Sequence, residues 1–189
     1  MIDKMQDKKI KNLTAVLGVI ILIILFFRYS IVVKTEFVYD VVASTLIVAI
    51  FFIFYDKLHQ DCISYFFLMF ALIIHNLGIY ATSPFGIRFD HYMHFFGGFT
   101  IAIIGDRIFN EKFSRGKRFV FVVIFALGIG AIGEILEWIG YGILGKGDGF
   151  FFFGMGDEGE WRNSMLDLIF NFIGGTFMGI LTLFRKIKQ

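Results

Sequence analysis

The chain has 189 residues, of which 57% are hydrophobic and only 18% charged, and its net charge is +2. A water-soluble domain of this size would carry more charge and fewer long apolar runs. Its surface could not hold 27 phenylalanines without aggregating. The single cysteine, Cys62, excludes an intramolecular disulfide and any multi-cysteine metal site.

Apolar stretches of about 18 to 26 residues are long enough to cross a hydrocarbon core of about 30 Å as helices. They predict an all-α polytopic membrane protein, a bundle of six transmembrane helices near 13–33, 38–55, 63–82, 92–109, 119–144 and 165–184. Residues 1–12 form a basic N-terminus, 13–184 a single membrane domain and 185–189 a basic tail. The first stretch follows lysines, as a signal peptide would. Its apolar run is too long, and "KTEFVYD" after it lacks a small-residue cleavage site, so a retained anchor is expected. Pro84 lies between the third and fourth spans, where it interrupts no helix. The polar residues fall almost entirely in the second half, which disfavours a transporter built by internal duplication.

Orientation follows from the basic residues. Lys4, Lys8, Lys9, Lys11, Lys57, Arg107, Lys112, Arg115, Lys117, Arg118, Arg185, Lys186 and Lys188 fall on one side, against Lys34, Arg88, Lys146 and Arg162 on the other. The positive-inside rule then places both termini in the cytoplasm of a multi-pass cell-membrane protein. Topology explains these basic clusters, so the expected partner is the lipid bilayer and not nucleic acid. The sequence specifies no protein partner and no oligomeric state.

With that orientation, four helices bring ionisable or amide side chains to one level. His91 and His94 lie within roughly the first 5 Å of the fourth span. Glu134 and Glu137 lie near the outer end of the fifth, and Asp167 and Asn171 near the start of the sixth. His75 and Asn76 fall in the outer half of the third. Spacings of three or four put each pair on one helix face. Gly97, Gly98, Gly130, Gly133, Gly174, Gly175 and Gly179 accompany them, and "GTFMG" is a small-xxx-small pattern that lets backbones approach. Ionisable residues in a span usually face the bundle interior or a watered cavity, so an outward-open polar pocket is expected. Asp90 and Arg162 stand at its margins. The loop 145–163, glycine-rich with Asp157 and four consecutive phenylalanines, is either a lid or an ordinary connection.

The motifs "FDHYMHFFGG", "EILEW", "GMGDEGEW" and "SMLDLIFNFIGG" resemble those of the YjdF-like predicted inner-membrane proteins, a family of unknown function. A looser likeness extends to VanZ-like proteins through Arg162, Asp167, Asn171, Gly174 and Gly179. The resemblance spans about residues 88 to 180 and implies a six-span membrane protein. It implies no enzyme activity.

Three readings stand open. In the first, the cluster is structural glue joining helices of an envelope-associated protein, with pairs such as His94–Glu137 or Arg162–Asp167. The second is a metal-assisted enzyme acting on a lipid or cell-envelope precursor. His91, His94, Glu134, Glu137 and Asp167 would hold a divalent ion such as zinc or manganese, with Glu137, Glu134 or Asp167 as catalytic carboxylate. No G-x-S-x-G or H-E-x-x-H signature supports it, and no organic cofactor is indicated. The third is a small permease or channel. It would need polar residues continuing inward, and the inner half of the fifth span is apolar.

Overall fold

The structure, a computed structural model, describes residues 4–32, 35–77, 83–110, 113–145 and 160–184. They form six α-helices: α1 Lys4–Val32, α2 Thr35–Phe54, α3 Cys62–His75, α4 Phe89–Phe109, α5 Arg115–Leu144 and α6 Glu160–Phe184. Among the described residues there is no strand. The protein is an all-α polytopic membrane protein. Stretches of α1, α2, α5 and α6 are long and apolar enough to cross a membrane. At 21 residues α4 is also long enough, about 31 Å, but Asp90, His91, His94, Asp106 and Arg107 break its apolar character. The shorter apolar helix α3 has 14 residues.

The chain separates into two compact units, Met1–Gly78 and Ile79–Gln189. In the first, α1 packs against both α2 and α3, and polar contacts pin it near both ends. Asp7 accepts hydrogen bonds from the Tyr55 hydroxyl at 2.7 Å and the Cys62 amide at 2.8 Å. Lys11 sits buried beside these groups, its ammonium 4.2 Å from the Tyr55 ring centre and 4.5 Å from that of Phe52. Asp61 and Ser64 close a reciprocal capping box on α3. Near the other end of α1, roughly 33 Å away along the helix, Tyr29 donates to the Asn76 carbonyl at 2.7 Å. Asn76 in turn donates to Ser44 at 2.7 Å, and the fully buried Asp40 faces His75 at 3.6 Å. Asp40 therefore packs inside the helices, although it lies within the first two turns of α2.

In the second unit α4, α5 and α6 all pack on one another. Glycines decide how closely. A Cβ on Gly98 would meet the Asn171 backbone, and one on Gly174 would meet the Phe95 carbonyl oxygen. The two helices therefore touch backbone to backbone. On α5 the partners are small or yielding: a Cβ on Gly130 would come 2.7 Å from the Asn171 side chain, and one on Gly175 2.9 Å from the Ala126 methyl. Outward, the large apolar side chains of these helices, among them Ile124, Ile132, Ile135, Phe177 and Leu181, are exposed. That arrangement suits a lipid-facing surface around a polar interior.

A second buried network closes the far end of this unit. Asp106 and Arg118 are both fully buried, with Arg118 Nε 3.3 Å from Asp106 Oδ1. Arg107 bonds Asp106 Oδ2 at 2.7 Å, and Arg118 also donates to the Thr182 carbonyl at 2.9 Å and to Asn110. Arg118, which reads as a solvated loop charge, is spent inside the protein.

Gly174→Ala should lower stability in detergent by at least about 1–3 kcal/mol, because the methyl overpacks against main chain that cannot move aside. Gly128→Ala, which meets open space, should be neutral or slightly stabilising, and chemical unfolding of the two variants compares them. By the same measurement, Arg118→Leu should cost about 1–3 kcal/mol, because Asp106 Oδ1 loses its guanidinium partner while Oδ2 keeps Arg107.

Candidate metal centre

The site is assembled by short-range periodicity on three helices. On α4, Asp90 occupies the first turn, where a carboxylate favours the helix dipole, and His94 follows at i+4 with its Nε2 3.7 Å from Asp90 Oδ1. On α6, Asn163, Asp167 and Asn171 recur every fourth residue and form one stripe. On α5, Glu134 is buried near the C-terminal end, while Glu137, one turn farther, is half-buried.

Asp167 is fully buried at the centre. Its Oδ2 accepts from Asn163 Nδ2 at 2.7 Å, and Asn163 Oδ1 accepts from Arg88 at 2.6 Å. Its Oδ1 lies 2.9 Å from His91 Nδ1 and 3.6 Å from His94 Nε2. The His91 ring stacks on Phe170 with centroids 5.1 Å apart, which fixes its plane. His94 is the hub of the cluster. Its Nδ1 accepts from Asn171 Nδ2 at 3.1 Å and lies 3.8 Å from Glu134 Oε1. In a neutral ring that bond leaves the proton on Nε2, facing Asp90 and Asp167; ligation through Nε2 requires the other tautomer, with Nδ1–H donating to a reversed Asn171 amide.

Glu134 is different. Only 9% of it is exposed, and with the Ser164 and His94 side chains alongside neither carboxylate oxygen meets a donor at full hydrogen-bonding distance among the described residues. Buried carboxylates are normally hydrogen-bonded or paired, and 3.8 Å to an imidazole is too long for a hydrogen bond. Three carboxylates, Asp90, Glu134 and Asp167, thus converge on one histidine. With neutral imidazoles they carry three negative charges against the one positive charge of Arg88, which joins the set through Asn163, an imbalance that a divalent cation would offset. His94, Glu134 and Asp167 each present a ligand atom within 4.8 Å of the others, and so do Asp90, His91 and Asp167. Nitrogen and carboxylate donors of this kind suit zinc or manganese.

The structure thus brings together His91, His94, Glu134, Asp167, Asp90 and Asn171. Glu137 is in neither ligand set among the described residues. His75 and Asn76 belong to the first unit, where they engage Asp40, Ser44 and Tyr29. Arg162 is exposed on α6 beside Asn163, and Asp157, with most of the 145–163 loop, lies outside the described residues. Two participants escape a sequence reading. Asn163 was signalled by its i−4 spacing from Asp167, whereas nothing local marks Arg88.

Residues 12–188 match the profile of a family described as predicted membrane proteins, DUF2238. The chain belongs to that family. No curated protein and no solved structure matches it. The DUF2238 match runs through all six helices, well beyond the 88–180 stretch that carries the recognisable motifs. It makes this a membrane protein of a family without an assigned activity, so chemistry has to be argued from the cluster.

Asn163→Ala should cost about 1–3 kcal/mol by leaving Asp167 Oδ2 buried without a donor. Arg88→Ala should add little in that background, because its tie to Asp167 passes through Asn163. A double-mutant cycle on unfolding midpoints checks this coupling.

Proposed function

We propose that this DUF2238 protein is a metal-assisted membrane enzyme whose centre, held by His94, Glu134 and Asp167, acts on a lipid or cell-envelope precursor. The observation that carries this reading is Glu134, a buried carboxylate aimed at His94 with neither oxygen meeting a donor at full hydrogen-bonding distance among the described residues. An ion held there would polarise a bound oxygen or acidify a water for hydrolysis. The protein's own contribution is positional: the Arg88–Asn163–Asp167 chain fixes one carboxylate oxygen and leaves the other directed at the histidines. The distribution of lysine and arginine supports a cell-membrane setting with both termini cytoplasmic and the cluster near the outer leaflet. The YjdF-like and VanZ-like motif resemblance is consistent with that setting. A substrate with a lipid tail could then reach the centre from the bilayer.

One observation favours a second reading. The bonds Arg88–Asn163–Asp167–His91 join α4 to α6 and would lock the bundle without any ion. In that case the cluster is structural.

Elemental analysis of the purified full chain separates the two. At least one zinc or manganese per chain is expected, with loss of the ion from His94→Ala and Glu134→Gln variants that remain folded. Turnover of lipid-linked envelope precursors should be abolished by chelation and by Glu134→Gln. A chain that takes up no metal, and whose His94→Ala variant only loses stability, overturns the enzyme reading in favour of the structural one.

A further inference from the structure

Resting on that reading, we infer that the centre is binuclear: Asp90 and His91 hold a second divalent cation that shares Asp167 with the first. Asp167 is the one residue common to both candidate ligand sets. With Oδ2 committed to Asn163, its Oδ1 faces His91 on one side and His94 on the other, at 2.9 and 3.6 Å. A single oxygen about 2.1 Å from each of two ions spans separations up to about 4.2 Å, which covers the about 3.5–4 Å of two-metal sites. Neighbouring ligand atoms of an octahedral ion at that bond length lie about 3.0 Å apart. The His91–Asp167 separation is therefore that of two donors on one ion as well as that of a hydrogen bond.

Asp90, Glu134 and Asp167 place three negative charges around two imidazoles and Arg88, and the five cluster side chains are buried or half-buried. One divalent ion balances that set and two ions sharing a hydroxide leave a single positive charge, so it is the shared Asp167 oxygen, not charge, that points to the second ion. Two ions at that separation would clamp the attacking and leaving oxygens of a displacement.

The test uses the full-length chain in detergent, loaded with manganese, freed of excess ion and measured for metal content and by electron paramagnetic resonance. Two manganese per chain with an exchange-coupled signal are expected. Asp90→Asn sits at a half-buried helix start and should fold, as circular dichroism would verify. It should retain one ion with an uncoupled six-line spectrum. One manganese per wild-type chain, uncoupled and unchanged by Asp90→Asn, overturns the binuclear inference and leaves the mononuclear centre standing. No bound manganese or zinc overturns both. Should Asp90→Asn fail to fold, stoichiometry and coupling in the wild-type chain still decide.

Discussion

The second unit depends on a backbone contact. Gly98 of α4 and Gly174 of α6 remove the side chains that would hold these helices apart, so main chain meets main chain at their crossing. One turn back along each helix stand His94 and Asn171, and two turns back His91 and Asp167. The intervals from glycine to polar residue are seven on both helices for His91 and Asp167, and four against three for His94 and Asn171, so the close crossing brings each histidine level with its α6 partner. Side chains as short as aspartate and asparagine reach imidazoles only when helix axes lie unusually near. The glycines and the polar cluster are one feature, and α5 completes it by offering Gly130 to the Asn171 side chain and Glu134 to His94.

Polarity is inverted relative to a soluble bundle, and that inversion raises the stakes of every buried group. Isoleucines and phenylalanines cover the outside, while Asp167, Asp106, Arg118 and Asn171 lie within. The second unit places a polar network near each end of α4, with small and apolar packing between them. The two networks differ in kind. At the Arg118 end, guanidinium groups of Arg107 and Arg118 face one carboxylate, a lock with donors in excess. At the His94 end, three carboxylates face two imidazoles, and Glu134 meets no donor at full hydrogen-bonding distance among the described residues. The excess of acceptors at the His94 end is what the proposed ion would offset, whereas the Arg118 end has its carboxylate paired within the protein.

Much of the cluster was legible before any fold was known. His91 with His94 and Asp167 with Asn171 stand at helical spacing, and a polar pair in a greasy helix has to face inward. Glu134 and Glu137 show where such reasoning stops. They share a face, and only their level along α5 relative to His94 separates a ligand from a neighbour. Arg118 misleads for a related reason: one position inside or outside a helix end converts a solvated charge into a buried one. Arg88 lies far from Asn163 in sequence, and no periodicity connects a residue before α4 with one on α6.

By itself the sequence determined the all-α membrane class, the helical faces on which histidine, aspartate and asparagine gather, and the presence of glycines for close packing. Those are consequences of hydropathy and of a 3.6-residue period, which are local properties. The tertiary structure alone decided which glycine meets which backbone, that Asp167 is the vertex shared by both histidines, that among the described residues Glu134 and not Glu137 falls in a candidate ligand set, and that Arg118 is buried. Each depends on helix separation and relative register, which are set by contacts between distant residues and leave no mark on any single segment.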